Sequence, residues 1–187
     1  MAVSPRAWWR GRREGGGRSA VIVPVPEAEP ALEAWGLPRT GLGTPAGMPP
    51  HVTLLYPFVP AARLDDADVD ALRRIVVSAC AFSFSLGDVG RFRGVLYLAP
   101  DPAAPFTALT RAIAHRWPEH PPYEGAYAEF VPHLTVIQGR EPASLARRIR
   151  DTLPLRAYAS EAWLMVQRGD DRWRLHARCA LGRAPAR

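Results

Sequence analysis

The stretch Pro49-Pro50-His51-Val52-Thr53-Leu54-Leu55-Tyr56-Pro57-Phe58 has a partner 82 residues later, Pro132-His133-Leu134-Thr135-Val136-Ile137. Both carry the frame Pro-His-apolar-Thr, and both run on into apolar residues. With 20 Pro and 5 His in the chain, shuffling gives about 0.02 copies of Pro-His-x-Thr per sequence, so two copies are not a composition effect. Alternation along a strand sends residues i and i+2 to one face. His51 and Thr53 therefore share a face, with Val52 and Leu54 on the other. His133 and Thr135 do the same opposite Leu134 and Val136. Each motif strand presents one imidazole and one hydroxyl while its apolar side is held in a core.

The rest of the chain alternates strand and helix around these two runs. Residues 19–26 read as a strand and 27–35 as a short helix with acids in its first turn. Residues 37–50, rich in Gly, Pro and Thr, are a loop into the first motif strand, 51–58. A helix over 65–80 begins at Asp65-Asp66 and carries Val69, Leu72, Ile75, Val76 and Ala79 at helical spacing. Strands follow at 82–86 and 95–99, then a helix at 105–117 stopped by Pro118. The second motif strand, 133–137, precedes a helix over 143–153. Strands at 159–167 and 173–181 are joined by the turn residues 168–171. This order suggests an internal duplication with a period near 80 residues: an α+β fold of two pseudo-equivalent lobes with mostly antiparallel sheets.

Charge narrows the classes of partner. All 24 basic residues are Arg, and the net charge is +6. Residues 1–18 carry +4 and 183–187 carry +2, which leaves 19–182 neutral. The high pI is therefore no evidence for a broad basic nucleic-acid face, and the neutral body leans toward a nucleotide or short RNA over a long polymer. Residues 1–18 read as a basic leader, 19–182 as the folded body and 183–187 as a tail. No apolar run approaches a membrane span, and the N-terminal segment is not of secretory type, so the expected location is cytoplasmic, with no membrane partner. Cys80 and Cys179 read as reduced core residues. His115, Glu119 and His120 sit between helix-breaking prolines and read as surface, not as a metal site.

Two imidazoles and two hydroxyls facing one space suit a phosphodiester. One neutral imidazole can take a proton from an attacking oxygen, and one protonated imidazole can donate to the leaving oxygen. Thr53 and Thr135 can donate to non-bridging oxygens. Spacing alone leaves open which of His51 and His133 is acid or base. Tyr56 and Phe92 are candidates for stacking on a base, Arg140 for touching phosphate, and Tyr123 with Tyr127 for the rim. A cleft that binds a nucleotide or RNA end without turning it over is the competing reading.

On these residues the chain resembles the 2H phosphoesterase superfamily, most closely bacterial proteins of the 2′-5′ RNA ligase-like group. The two His-x-Thr motifs carry the resemblance, with the frame from Pro49 to Phe58 and Gly94-Val95-Leu96-Tyr97-Leu98 beside them. It spans residues 19–182. It implies a bilobal α+β fold, with two mostly antiparallel sheets around a central cleft and helices outside. It further implies a monomer without metal or cofactor, acting on 2′,3′-cyclic phosphate or 2′,5′-linked nucleotides through His51 and His133, with 2′-5′ RNA ligation as the reverse reaction.

Overall fold

The computed structural model describes residues 17–39, 41, 43–92, 94–126, 130–140, 144–170 and 172–183. Among these residues are eight strands: β1 (Arg18–Pro24), β2 (His51–Leu55), β3 (Phe82–Phe92), β4 (Val95–Asp101), β5 (Leu134–Gln138), β6 (Leu155–Ala159), β7 (Glu161–Gln167) and β8 (Trp173–Ala180). Four α-helices accompany them: α1 (Glu29–Ala34), α2 (Asp66–Ser78), α3 (Ala104–Arg116) and α4 (Leu145–Arg150). All strands join one antiparallel sheet in the order β6-β3-β4-β5-β2-β1-β7-β8.

This corrects the expectation of two sheets. The motif strands β2 and β5 are direct neighbours, registered at Val52↔Leu134, and that pairing joins what would have been separate lobes. A pseudo-twofold relation survives about this pair: β2-β1-β7-β8 lies on one side and β5-β4-β3-β6 on the other. It is not a tandem duplication. The first wing is built from the two ends of the chain and the second from its middle. The likeness extends to a detail. Each motif strand shifts register against its outer neighbour at the third residue after its histidine, Leu54 in β2 and Val136 in β5. Such bulges turn a strand locally and re-aim its side chains.

One face of the sheet is covered by the helices. Val21, Val23, Val52, Leu54, Leu96, Leu98, Leu134 and Leu164 pack there against Leu72 and Val76 of α2, Phe106, Leu109 and Ile113 of α3, Leu32 of α1 and Ile149 of α4. Asp65 caps α2 by accepting from the Asp68 N–H at 2.9 Å, as the acid-rich start leads one to expect. The buried Thr110 hydroxyl of α3 donates to the Leu54 carbonyl at 2.9 Å, tying the bulge in β2 to the helix layer.

The opposite face carries the motif histidines, and its two wings differ. Over β1, β7 and β8 it is closed by a second apolar cluster: Ala20, Ile22, Met165, Trp173 and Tyr56, with Met48 brought in by the loop before β2. That loop passes close to backbone at Gly47, where a side chain would meet the Trp173 carbonyl, and the Trp173 N–H donates to the Ala46 carbonyl at 2.9 Å. Over β4 and β3 no such cluster lies on this face among the described residues; Tyr97 is half-buried and Phe92 is 38% exposed.

Some local expectations change. Arg18, placed in the leader by the sequence, is the first residue of β1. The strand expected at 82–86 runs on to Phe92 through a bulge at Gly87, and β6 was not anticipated. Cys179 is buried and free, as expected, whereas Cys80 is free but exposed, since its side chain leaves the core where α2 turns into β3. Residues 1–16, 184–187 and Tyr127 lie outside the described residues.

Candidate active site

Extending the Val52↔Leu134 register by one residue each way sets His51 opposite Thr135 and Thr53 opposite His133. Since Val52 and Leu134 face the helices, these four side chains share the other face. Directly opposed pairs on an antiparallel ladder have Cβ atoms about 5 Å apart, and diagonal pairs about 7–8 Å. The two imidazoles therefore occupy one diagonal of a small square and the two hydroxyls the other.

The repeated proline has a visible function. His51 Nδ1 lies 2.7 Å from the Pro49 carbonyl, and His133 Nδ1 lies 2.8 Å from the Val131 carbonyl. Each contact spans the intervening proline, whose fixed φ and extended predecessor set that carbonyl. A carbonyl can only accept, so Nδ1–H donates in both rings. Nε2 of each imidazole is then the nitrogen left without a proton in the neutral ring. The Pro50 carbonyl is itself taken by the Val25 N–H at 2.8 Å, which anchors the first motif to the residue after β1.

The histidines are not equivalent. His51 is 8% exposed, beside the covered wing, whereas His133 is half-buried beside the open one. Burial pushes the His51 imidazole down to about 4, against an opposing pull from the Pro49 carbonyl; the like charge of His133 adds to the lowering. That last influence means the rings feel each other electrostatically. Burial also lowers His133, with the Val131 carbonyl acting in the opposite sense. Thr53 is 8% exposed and Thr135 half-buried, so the hydroxyls show the same asymmetry.

The other described candidates fall into four places. Phe92 reaches the square: its ring lies 5.1 Å from the His133 ring, edge to face. Tyr56 lies in the covered cluster, its ring 6.0 Å from Trp173 and its hydroxyl accepting from Arg18 at 3.3 Å, with burial raising the phenol. Tyr123 is half-buried in a 3-10 turn at a positive φ of 52°, and its N–H donates to the Tyr56 carbonyl at 2.7 Å. Arg140 is exposed, five residues past Thr135. The sequence did not single out Tyr97. Its β4 position registers with Thr135, and its ring sits 5.3 Å from His133 and 4.3 Å from Phe92. The signal was present, an aromatic on the open face of Val95-Leu96-Tyr97-Leu98, but nothing local linked it to a motif 36 residues away. Among the described residues no group of three or more His, Cys, Asp or Glu could hold a metal ion, and no helix is long and apolar enough to cross a membrane.

Residues 24–171 match the family model described as the 2′-5′ RNA ligase superfamily. A comparison with curated proteins returned no match. Among solved structures, TT0787 of Thermus thermophilus superposes with a TM-score of 0.62 at 19% identity, covering 89% of this chain and 98% of its own. E. coli LigT in its apo form gives 0.59 at 20% identity, with 89% and 98% covered. LigT complexed with 3′-AMP gives 0.56 at 19% identity, with 88% and 98% covered.

Proposed function

The chain belongs to the 2′-5′ RNA ligase superfamily, a 2H phosphoesterase group, and from that premise we propose a metal-independent phosphodiesterase acting on 2′,3′-cyclic phosphate or 2′,5′-linked nucleotides. The observation that carries this reading is the crossed square of His51, Thr53, His133 and Thr135, with both imidazoles tethered at Nδ1. That the similar fold of LigT accommodates 3′-AMP supports a nucleotide-sized ligand.

Hydrolysis of a cyclic phosphate begins at His51. Nε2 of its neutral imidazole takes a proton from water, and the water oxygen attacks phosphorus. The bond from phosphorus to one ribose oxygen breaks, and that oxygen leaves with the Nε2 proton of His133. Thr53 and Thr135 donate to the non-bridging oxygens, where charge grows. His51 suits the base because burial keeps it neutral over most of the pH range. His133 suits the acid because it lies on the open side, where the leaving nucleoside needs room. Ligation puts the 5′-hydroxyl of a second strand in place of water and keeps these roles; cleavage of a 2′,5′ link back to the cyclic phosphate is its reverse and exchanges them.

Phe92 offers a stacking surface for the base, and the neutral charge of residues 19–182 favours a mononucleotide or short RNA end. The enzyme would act as a cytoplasmic monomer without cofactor. The test is incubation with nucleoside 2′,3′-cyclic phosphates and 2′,5′-linked dinucleotides in EDTA, with products resolved as 2′- or 3′-phosphates. Ligand binding by the wild-type protein without product would favour a non-catalytic nucleotide-binding module.

A further inference from the structure

Tyr97 stands where a side chain can act on His133 without touching substrate. Its ring lies nearly parallel to Phe92, at 22° and 4.3 Å, and meets the His133 ring at 59° and 5.3 Å. Phe92 meets the same imidazole at 78°. The stack has a dedicated seat. Gly90 in β3 registers with Tyr97, and a Cβ built there would fall onto Cζ, Cε2 and Oη of the tyrosine ring. Gly90 has no positive φ, so the backbone does not require glycine; the ring above it does. A glycine in a strand interior weakens the strand, and close approach by another group is one recognised reason to find one there.

We propose that Tyr97, seated on Gly90 and backed by Phe92, is a positioning residue that sets the ring plane of His133. The inference rests on the reading of His133 as the proton donor. The Val131 carbonyl fixes the direction of Nδ1 but leaves the imidazole free to swing about that hydrogen bond. Two aromatic contacts at different angles remove that freedom, and Nε2 is held toward the square. His51 has the covered wing for the same purpose, and His133, on the open side, has Tyr97 and Phe92.

The experiment compares Tyr97→Leu, Tyr97→Phe and Gly90→Ala with wild type, the fold being checked by circular dichroism. Carbon-13 and nitrogen-15 NMR of the imidazoles reads the tautomer and the ring mobility of each histidine, and steady-state kinetics on a cyclic nucleotide reads kcat and KM. We expect Tyr97→Leu and Gly90→Ala to leave His133 an Nδ1–H tautomer, since the Val131 carbonyl remains, but to raise the mobility of its ring while His51 keeps its own. Their kcat should fall about 10- to 100-fold with KM little changed, the scale of a misplaced catalytic group. Tyr97→Phe, which keeps the ring, should match wild type in both. A folded Tyr97→Leu protein with wild-type ring mobility and kcat overturns the proposal, and so does Tyr97→Phe behaving like Tyr97→Leu. Absence of turnover in wild type sinks the proposed reaction instead, and the mobility measurement still decides the role of Tyr97.

Discussion

One face of one sheet carries two wings that neighbour the same four residues and treat them differently. Over β1, β7 and β8 the face is sealed by Ile22, Met165, Trp173 and Met48, each at most 2% exposed. Over β4 and β3 it carries Tyr97, half-buried, and Phe92, 38% exposed, and among the described residues no second apolar cluster seals it. His51 belongs to the strand beside the sealed wing and His133 to the strand beside the open one. A pseudo-symmetric pair of motifs thus becomes a chemically unequal pair. The motif supplies identical groups; strand order sets them in unequal surroundings, and burial lowers the proton affinity of both.

The largest test asks whether both members are needed. His51→Ala and His133→Ala are each expected to lower kcat/KM about 100- to 10,000-fold, the usual range for a lost general acid or base. Cyclic-nucleotide assays on folded variants check it; wild-type turnover by either removes the two-histidine reading. The pH dependence carries the same comparison. In the free enzyme kcat/KM should fall on the acid side as His51 gains its proton near 4. On the alkaline side it should fall as His133 loses its proton, at a pH below the usual 6.5.

Stability should report the unequal burial directly. In the unfolded chain His51 binds a proton near 6.5, and in the fold only near 4. Between those values the unfolded state holds more protons, so stability is fully present above pH 6.5 and is lost as pH falls toward 4. The difference corresponds to about 3 kcal/mol for this one group. Urea denaturation at pH 7 and pH 4.5 should show wild type losing more than His51→Asn by an amount of this order. Equal losses would mean that His51 is open to water.

A smaller contrast uses two glycines with similar backbone. Gly47 has φ +87° and faces the Trp173 carbonyl; Gly94 has φ +77° with nothing within 4 Å of its would-be Cβ. Both should resist alanine through the left-handed conformation, at about 1 kcal/mol each. Only Gly47→Ala must also displace backbone in the sealed wing, so its denaturation midpoint should fall further than that of Gly94→Ala. Matching midpoints would remove the distinction between a packed and an open wing.

Much of this was legible in advance because the alternation of a strand is local. His51, Thr53, His133 and Thr135 could be put on common faces from spacing alone. The helix beginning after Asp65 was marked by its own first turn. Strand order was not legible: β2 and β5 meet through contacts between residues 82 apart, and no local pattern says whether two motif strands lie in one sheet or two. The strand expected at 82–86 stopped where its alternation breaks at Gly87, whereas here Gly87 sits at a bulge and Gly90, further along the same strand, lies under a tyrosine ring. β6 was missed because Leu155-Arg156-Ala157-Tyr158-Ala159 is an edge strand with exposed Arg156 and Tyr158, and its small inward residues give little hydrophobic contrast.

The mildest test falls on the open wing itself. One face of the Phe92 ring is taken by Tyr97, and the residue remains 38% exposed at the edge of the square. If a base stacks there, Phe92→Leu removes a flat surface and keeps apolar bulk, so binding should weaken, beside the fall in kcat that losing one of the two ring contacts to His133 brings. Base–aromatic stacking is worth about 1–3 kcal/mol. A partly exposed ring falls at the lower end, which corresponds to a KM rise of about fivefold. Comparing a nucleoside cyclic phosphate with a ribose cyclic phosphate that lacks the base separates stacking from a disturbed His133. Stacking predicts that the variant loses its preference for the nucleoside, whereas a disturbed imidazole lowers turnover of both substrates alike.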